Sequence, residues 1–151
     1  RYGTSVVKGN NQLLEEFYNP LKVIPLKMAP LVLIGTLLTH LFGGSAGREG
    51  TAVQMGGAIA DQFTKWFKLT DGDRKMVITV GVAAGFASVF GTPLAGAVFA
   101  LEWLVVGRLR YESILPAFIA AVIANYACEG IWQVHHTEYT VPIVPPLDLP
   151  P

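Results

Sequence analysis

The chain has 151 residues, 52% of them hydrophobic and 15% charged, with 11 basic side chains balancing 11 acidic ones. Charged residues make up roughly a quarter of an average soluble domain, so this composition reads as a membrane protein. Zero formal charge, with no basic block interleaved with aromatics, gives no support for a nucleic-acid partner. The lone Cys128 excludes an internal disulfide or a cysteine metal cluster. The segment from Arg1 to Lys8 lacks a signal-peptide pattern, and the chain is expected to be a fragment of a longer protein.

In chain order, Gly9-Asn10-Asn11 opens a short helical pattern over residues 12–18. Asn is a preferred N-cap residue, and its amide also offers two N–H donors to an anion. Capping and anion contact are compatible roles for Asn10 and Asn11, and capping is the one the spacing favours. A first apolar segment covers residues 26–42, interrupted by Lys27 and Pro30, with His40 near its end. A histidine there is expected to be a satisfied core residue in preference to a proton relay.

Residues 43–50 form a glycine-rich break, ending Gly47-Arg48-Glu49-Gly50. An ionisable residue at membrane depth costs free energy and by default marks an ion path, a proton relay or a counter-ion. Non-helical backbone at that depth is tolerated only where protein buries it or it lines a wet cavity. A helix starting here, at Thr51, would present partial positive charge and unpaired N–H groups to an anion. Glu49 would sit under opposing pulls, because desolvation favours the neutral carboxyl and a helix start favours the charged one. Such a group can occupy an anion site when charged and vacate it when neutral, which links anion movement to proton movement. A local pair with Arg48 is not the natural geometry, since adjacent helical residues do not face each other.

Four further apolar segments follow, over residues 51–67, 76–90, 94–106 and 114–134. Spanning a hydrocarbon core takes roughly 20 apolar residues, and only the last comfortably reaches that. Short segments broken by glycine or proline mark discontinuous helices that end inside the membrane. Small residues recur at helix-packing spacing, as in Gly56 with Ala60, Gly81 with Gly85, Ala83 with Ala87 and Ala87 with Gly91. Charged loops are expected over 65–75, with an Asp71-Gly72 turn, and over 107–112, with Arg108, Arg110 and Glu112. Basic residues fall on several of these segments, so the distribution of Lys and Arg sets no clean orientation. Trp66, Trp103 and Trp132 lie near segment ends, where aromatic belts anchor a protein in the interface. His135, His136 and Glu138 could ligate a metal, but they sit in a loop without an obvious fourth ligand, so the reading is no metal and no cofactor. Residues 135–151 hold five prolines and cannot form a regular helix; they read as a linker after a membrane domain over 1–134.

Three motifs, in order and at matching spacing, resemble a known family. Gly47-Arg48-Glu49-Gly50 is similar to the G-(K/R)-E-G signature of the CLC chloride channels and proton-coupled anion transporters. Residues 84–96, from Ala84-Gly85-Phe86 through Thr92-Pro93 to Gly96, followed by Phe99 and Glu102, resemble that family's A-G-x-x-x-x-F-x-x-P-x-x-G-x-x-F-x-x-E stretch. Gly9-Asn10-Asn11 falls where the family places G-S-G-x-P, whose Ser contacts the central anion. Asn10 in place of that Ser, and Thr51 in place of the Pro that usually follows the signature, look like the fluoride-exporting branch. Chloride/proton exchangers of the family usually carry a second Glu directly after the one matching Glu102, where this chain has Trp103.

The resemblance implies an all-α, polytopic membrane protein with broken helices, matching the first inverted repeat of the CLC fold. It implies a linker over 135–151 to a second half that holds a G-x-F-x-P segment and a pore-lining Tyr. It implies Glu49 as the gating and proton-transfer carboxylate, with Gly9, Asn10, Asn11, Gly47, Arg48, Gly50 and Thr51 around an inorganic anion. The implied function is fluoride/proton antiport in the cell membrane, with a CLC chloride channel or chloride/proton exchanger as the alternative. A homodimer in the lipid bilayer, joined through residues 94–106 and 114–134, is also implied. A membrane-embedded enzyme using Glu49 as base, with His135 and His136 on a metal, is the rival of another class; it lacks a nucleophile.

Overall fold

A computed structural model of the protein describes residues 8–104 and 111–136. Among these residues every regular element is helical: α1 (Asn10–Tyr18), α2 (Met28–Leu41), α3 (Arg48–Ala60), α4 (Gln62–Phe67), α5 (Asp71–Phe90), α6 (Pro93–Leu104) and α7 (Ile114–Tyr126). A 3-10 turn over Tyr111–Ser113 leads into α7 and a π-helical turn over Ala127–Ile131 ends it. Together these make one continuous helical stretch, Tyr111–Ile131, the single helix among the described residues long and apolar enough to cross a membrane. Shorter apolar helices lie over Met28–Leu41 and Pro93–Trp103. Exposed leucines and isoleucines run along α2 (Ile34, Leu37, Leu41) and α7 (Leu115, Ile119, Ile123), the kind of apolar face that meets a membrane or another protein.

α5 is the spine, with α3, α6 and α7 packed around it. The α3–α5 seam is built from small residues whose backbones meet directly. A β-carbon on Gly56 would collide with the Gly81 carbonyl, and one on Gly85 with the Ala52 carbonyl. Without water between helices, such close approach gives the dispersion contact that holds them together. Gly96 of α6 repeats the device, its β-carbon position lying 3.0 Å from the Ala83 carbonyl oxygen and 3.1 Å from the Ala87 β-carbon. α1 is fastened by Leu13 and Phe17, one turn apart on its buried face. Leu13 fills the space that Gly57 leaves open beside Val82.

Several expected boundaries move. Lys27 and Pro30 do not interrupt α2: Lys27 precedes its first residue, and Pro30 lies in the first turn, where a missing N–H costs no intrahelical bond. The segment over 51–67 is two helices, because the chain bends at Asp61. The loop expected over 65–75 shrinks to residues 68–70. Asp71 and Gly72 form the first turn of α5, not a reverse turn, because Thr70 caps that helix by accepting from the Asp73 N–H at 3.3 Å and donating to Asp73 Oδ2 at 2.7 Å. α5 ends at Gly91, whose φ of 67° is the left-handed conformation that suits glycine at a helix C-terminus. α6 starts on Pro93, the residue type pre-set for a first helical position. Arg108, Arg110 and Glu138 lie outside the described residues.

Trp66 and Trp132 are exposed, as interfacial anchors are. Trp103 is not: it is half-buried and stacks on Phe99 at 6.2 Å, extending a row that runs through Phe86 to Phe90. His40 is not a core residue either. It lies exposed on α2, with Nδ1 2.8 Å from the Thr36 carbonyl oxygen.

Candidate functional site

Two helix starts converge. α1 begins at Asn10, directly after Gly9, whose φ of 53° and ψ of −127° favour a residue without a side chain. α3 begins at Arg48, after Gly47. Asn10 does not cap α1. The start of that helix is closed instead by tight backbone bonds from the Asn11 N–H to the Lys8 oxygen and from the Gln12 N–H to the Gly9 oxygen, both 3.1 Å. This frees the Asn10 side chain to reach α3, where its Oδ1 accepts a 2.8 Å hydrogen bond from Gln54 Nε2. A β-carbon on Gly50 would stand 3.6 Å from Asn10 Nδ2, and one on Gly9 would stand 3.5 Å from Gln54 Nε2. The two glycines therefore let the helix starts approach to within one amide side chain of each other.

The remaining residues of the expected set are placed differently. Arg48, Glu49 and Asn11 are exposed on the surface of this chain, and among the described residues neither Arg48 nor Glu49 forms an ion pair. Glu49 stands in the first turn of α3, on the positive end of its dipole. No side chain caps that helix, so its first N–H groups have no intrahelical partner. Thr51 turns away from the gap: its hydroxyl meets the Thr36 hydroxyl of α2 at 2.6 Å and lies 3.4 Å from the Gly47 oxygen. Gly47 has open space where a β-carbon would be. Among the described residues no three His, Cys, Asp or Glu side chains come together as a metal site. His136 instead lies over Gly91, with its ring 3.6 Å from Glu129.

Three residues that bear on this site went unnoticed in the sequence. Gln54 is the first. Asp61 and Arg74 are the others, and they fasten the far end of α1. Asp61 is fully buried and accepts from Arg74 Nε at 2.7 Å and Nη2 at 2.8 Å, from the Ile24 N–H at 2.7 Å and from Thr64 Oγ1 at 2.9 Å. Arg74 also donates to the Lys22 carbonyl at 2.8 Å and lies 3.6 Å from Glu16 of α1. A buried ion pair is tolerable only when its remaining lone pairs and protons are satisfied, and here the loop between α1 and α2 does much of that. The available signal was Asp61 itself, a lone charge ending an apolar run.

Broken helices whose starts meet over polar groups, on a bundle with an apolar exterior, are the architecture by which membrane transporters hold a solute. The chain belongs to the voltage gated chloride channel family, whose family model matches residues 1–151. It is 52% identical over 147 residues to a chloride/fluoride channel protein of Pseudomonas syringae pv. tomato, covering 97% of this chain and 32% of that protein. An H(+)/Cl(-) exchange transporter of Vibrio vulnificus is 36% identical over 108 residues, 70% of this chain and 23% of the relative. Among solved structures, the crystal structure of a CLC-type fluoride/proton antiporter superposes with a TM-score of 0.87 at 40% identity, covering 97% of this chain and 37% of that one. The chain thus spans about a third of the length of the chloride/fluoride channel protein and of the antiporter. Members of this family are integral membrane proteins that handle inorganic anions.

Proposed function

We propose that this chain forms part of a proton-coupled fluoride exporter, contributing the helix starts of α1 and α3 to the anion site and Glu49 as the proton-transfer carboxylate. The single observation that carries this reading is Asn10, held by Gln54 and set against Gly50 between the two helix starts. Fluoride is small and strongly hydrated, so a site must return strong donors for the water it removes. An amide N–H group beside two helix N-termini supplies them. Gly9, Asn11, Gly47, Arg48 and Thr51 line or support these starts; Thr51 acts by tying α3 to α2. Similarity to a chloride/fluoride channel protein and to a fluoride/proton antiporter supports the same substrate.

A homodimer in the cell membrane, joined through residues 94–106 and 114–134, belongs to this reading. Its support is the apolar face of α6 and α7, where Leu94, Val98, Leu115, Phe118 and Val122 are exposed. The test of function is efflux from liposomes holding the full-length protein, with fluoride and chloride compared and external pH recorded together. Fluoride efflux that is faster than chloride efflux and drives protons the opposite way agrees with the proposal. Chloride efflux at an equal rate, without proton movement, returns the chain to the chloride-channel alternative.

A further inference from the structure

An asparagine amide has two faces of opposite polarity: an oxygen that accepts and an NH2 that donates. Which one meets an anion decides whether the residue attracts or repels it. Rotation about the last side-chain torsion exchanges the two with little steric change, so something must select the orientation. In this chain that something is Gln54. Its Nε2 donates to Asn10 Oδ1 at 2.8 Å, which occupies the oxygen and leaves Nδ2 as the group beside Gly50. Gln54 is one helical turn beyond Gly50 on α3, and residues so spaced share a face. The bond therefore spans the two helices at the point where their starts meet. A hydrogen bond accepted at an amide oxygen also polarises the amide and strengthens its N–H as a donor.

We infer that Gln54 is a positioning residue that fixes the polarity of Asn10, turning its N–H group towards the anion, and so sets the preference for fluoride over larger halides. The inference rests on the anion-site reading given above. Fluoride gains more than chloride from a short, strong donor, because it gives up more hydration on entry. A misoriented Asn10 would thus penalise fluoride more than chloride.

Gln54→Glu tests this. A carboxylate of the same size accepts only, so it would take the Asn10 NH2 and turn the oxygen towards the ion. Full-length protein carrying Gln54→Glu is expected to lose fluoride preference over chloride by about tenfold at neutral pH, as one lost charge-type contact of about 1.4 kcal/mol would give. Lowering the pH towards about 4 protonates a glutamate of ordinary acidity and restores a donor. The fluoride-to-chloride ratio should then recover relative to wild-type protein measured at the same pH, a change that a purely structural defect would not show. Gln54→Met, which keeps the volume and neither donates nor accepts strongly, should fall between the two. In an Asn10→Ser background, Gln54→Glu should have little further effect, since a hydroxyl rotates to suit either partner.

If Asn10→Ser leaves selectivity unchanged in folded protein, the anion-site reading fails. If Asn10→Ser alters selectivity while Gln54→Glu and Gln54→Met both match wild type, Asn10 is a ligand and Gln54 does not orient it, which overturns the inference. Should Gln54→Glu fail to fold, Gln54→Met decides: an unchanged ratio overturns the inference and a reduced ratio upholds it.

Discussion

Asp61 and Arg74 lie 13 positions apart in sequence and share two hydrogen bonds of 2.7 and 2.8 Å, both side chains buried where α3 ends and α5 begins. The pair joins three segments, because the loop after α1 lends it the Ile24 N–H and the Lys22 carbonyl. The far end of α1, opposite the start that carries Asn10, is positioned in part from here. Removing one partner of a buried pair leaves the other charge uncompensated and costs about 3–5 kcal/mol. Asp61→Ala is therefore expected to lower the thermal unfolding temperature of the detergent-solubilised full-length protein well below that of wild type. The double variant Asp61→Leu with Arg74→Met, which leaves no buried charge, should recover much of the loss. A single variant as stable as wild type would remove this pair from the scaffold.

The seam between α3 and α5 gives a second expectation. Gly56 and Gly85 each stand where a β-carbon would strike a backbone carbonyl of the facing helix, and a backbone cannot swing aside as a side chain can. Gly85→Val should separate the helices and reduce monodisperse protein in size-exclusion chromatography, whereas Gly35→Ala, at a position with nothing within 4 Å, should not. Equal yields of both variants would show that the seam does not depend on close approach.

At Gly50 the neighbour is Asn10, the amide proposed to meet the anion. A β-carbon there would make ordinary contact with Asn10 Nδ2 at 3.6 Å, so Gly50→Ala should be accommodated and Gly50→Val should press on the amide. Fluoride efflux by Gly50→Val is expected to fall at least about tenfold, the effect of losing one well-placed donor of about 1.4 kcal/mol, while the protein still inserts and elutes normally. Unchanged efflux would mean that the gap between the helix starts is wider in the working protein than the crowding argument requires. Gly47, by contrast, has nothing within 4 Å of its β-carbon position.

Much of this was legible from residue order alone. The glycine break after residue 43, the small-residue pairs on α3 and α5 and the apolar stretch ending near Trp132 each carry a local signal, although the break ends at Gly47 and the helix expected from Thr51 already starts at Arg48. What was not legible depends on partners distant in sequence. Arg74 looked like one charge in a charged loop: the Thr70 and Asp73 spacing is a local sign of a helix start, but its partner Asp61 lies 13 positions back, at the end of α3. Asn10 looked like an N-cap, because its spacing fits one, whereas its actual partner, Gln54, is 44 positions away. Trp103 sits at a segment end and so looked like an anchor, until Phe99 and Phe86 proved to continue its stack inward.

Glu49, in the first turn of α3, is the group proposed to couple the anion to the proton. Glu49→Gln keeps the size of the side chain and removes the titrating proton. Liposomes holding full-length wild-type or Glu49→Gln protein would be loaded with fluoride, and fluoride efflux and proton uptake recorded in the same sample. An outward fluoride gradient is expected to drive protons inward in wild type, and this proton movement should vanish in Glu49→Gln. Protons driven at the wild-type ratio to fluoride in the Gln variant would contradict it, and the coupling carboxylate would then have to be sought elsewhere in the protein.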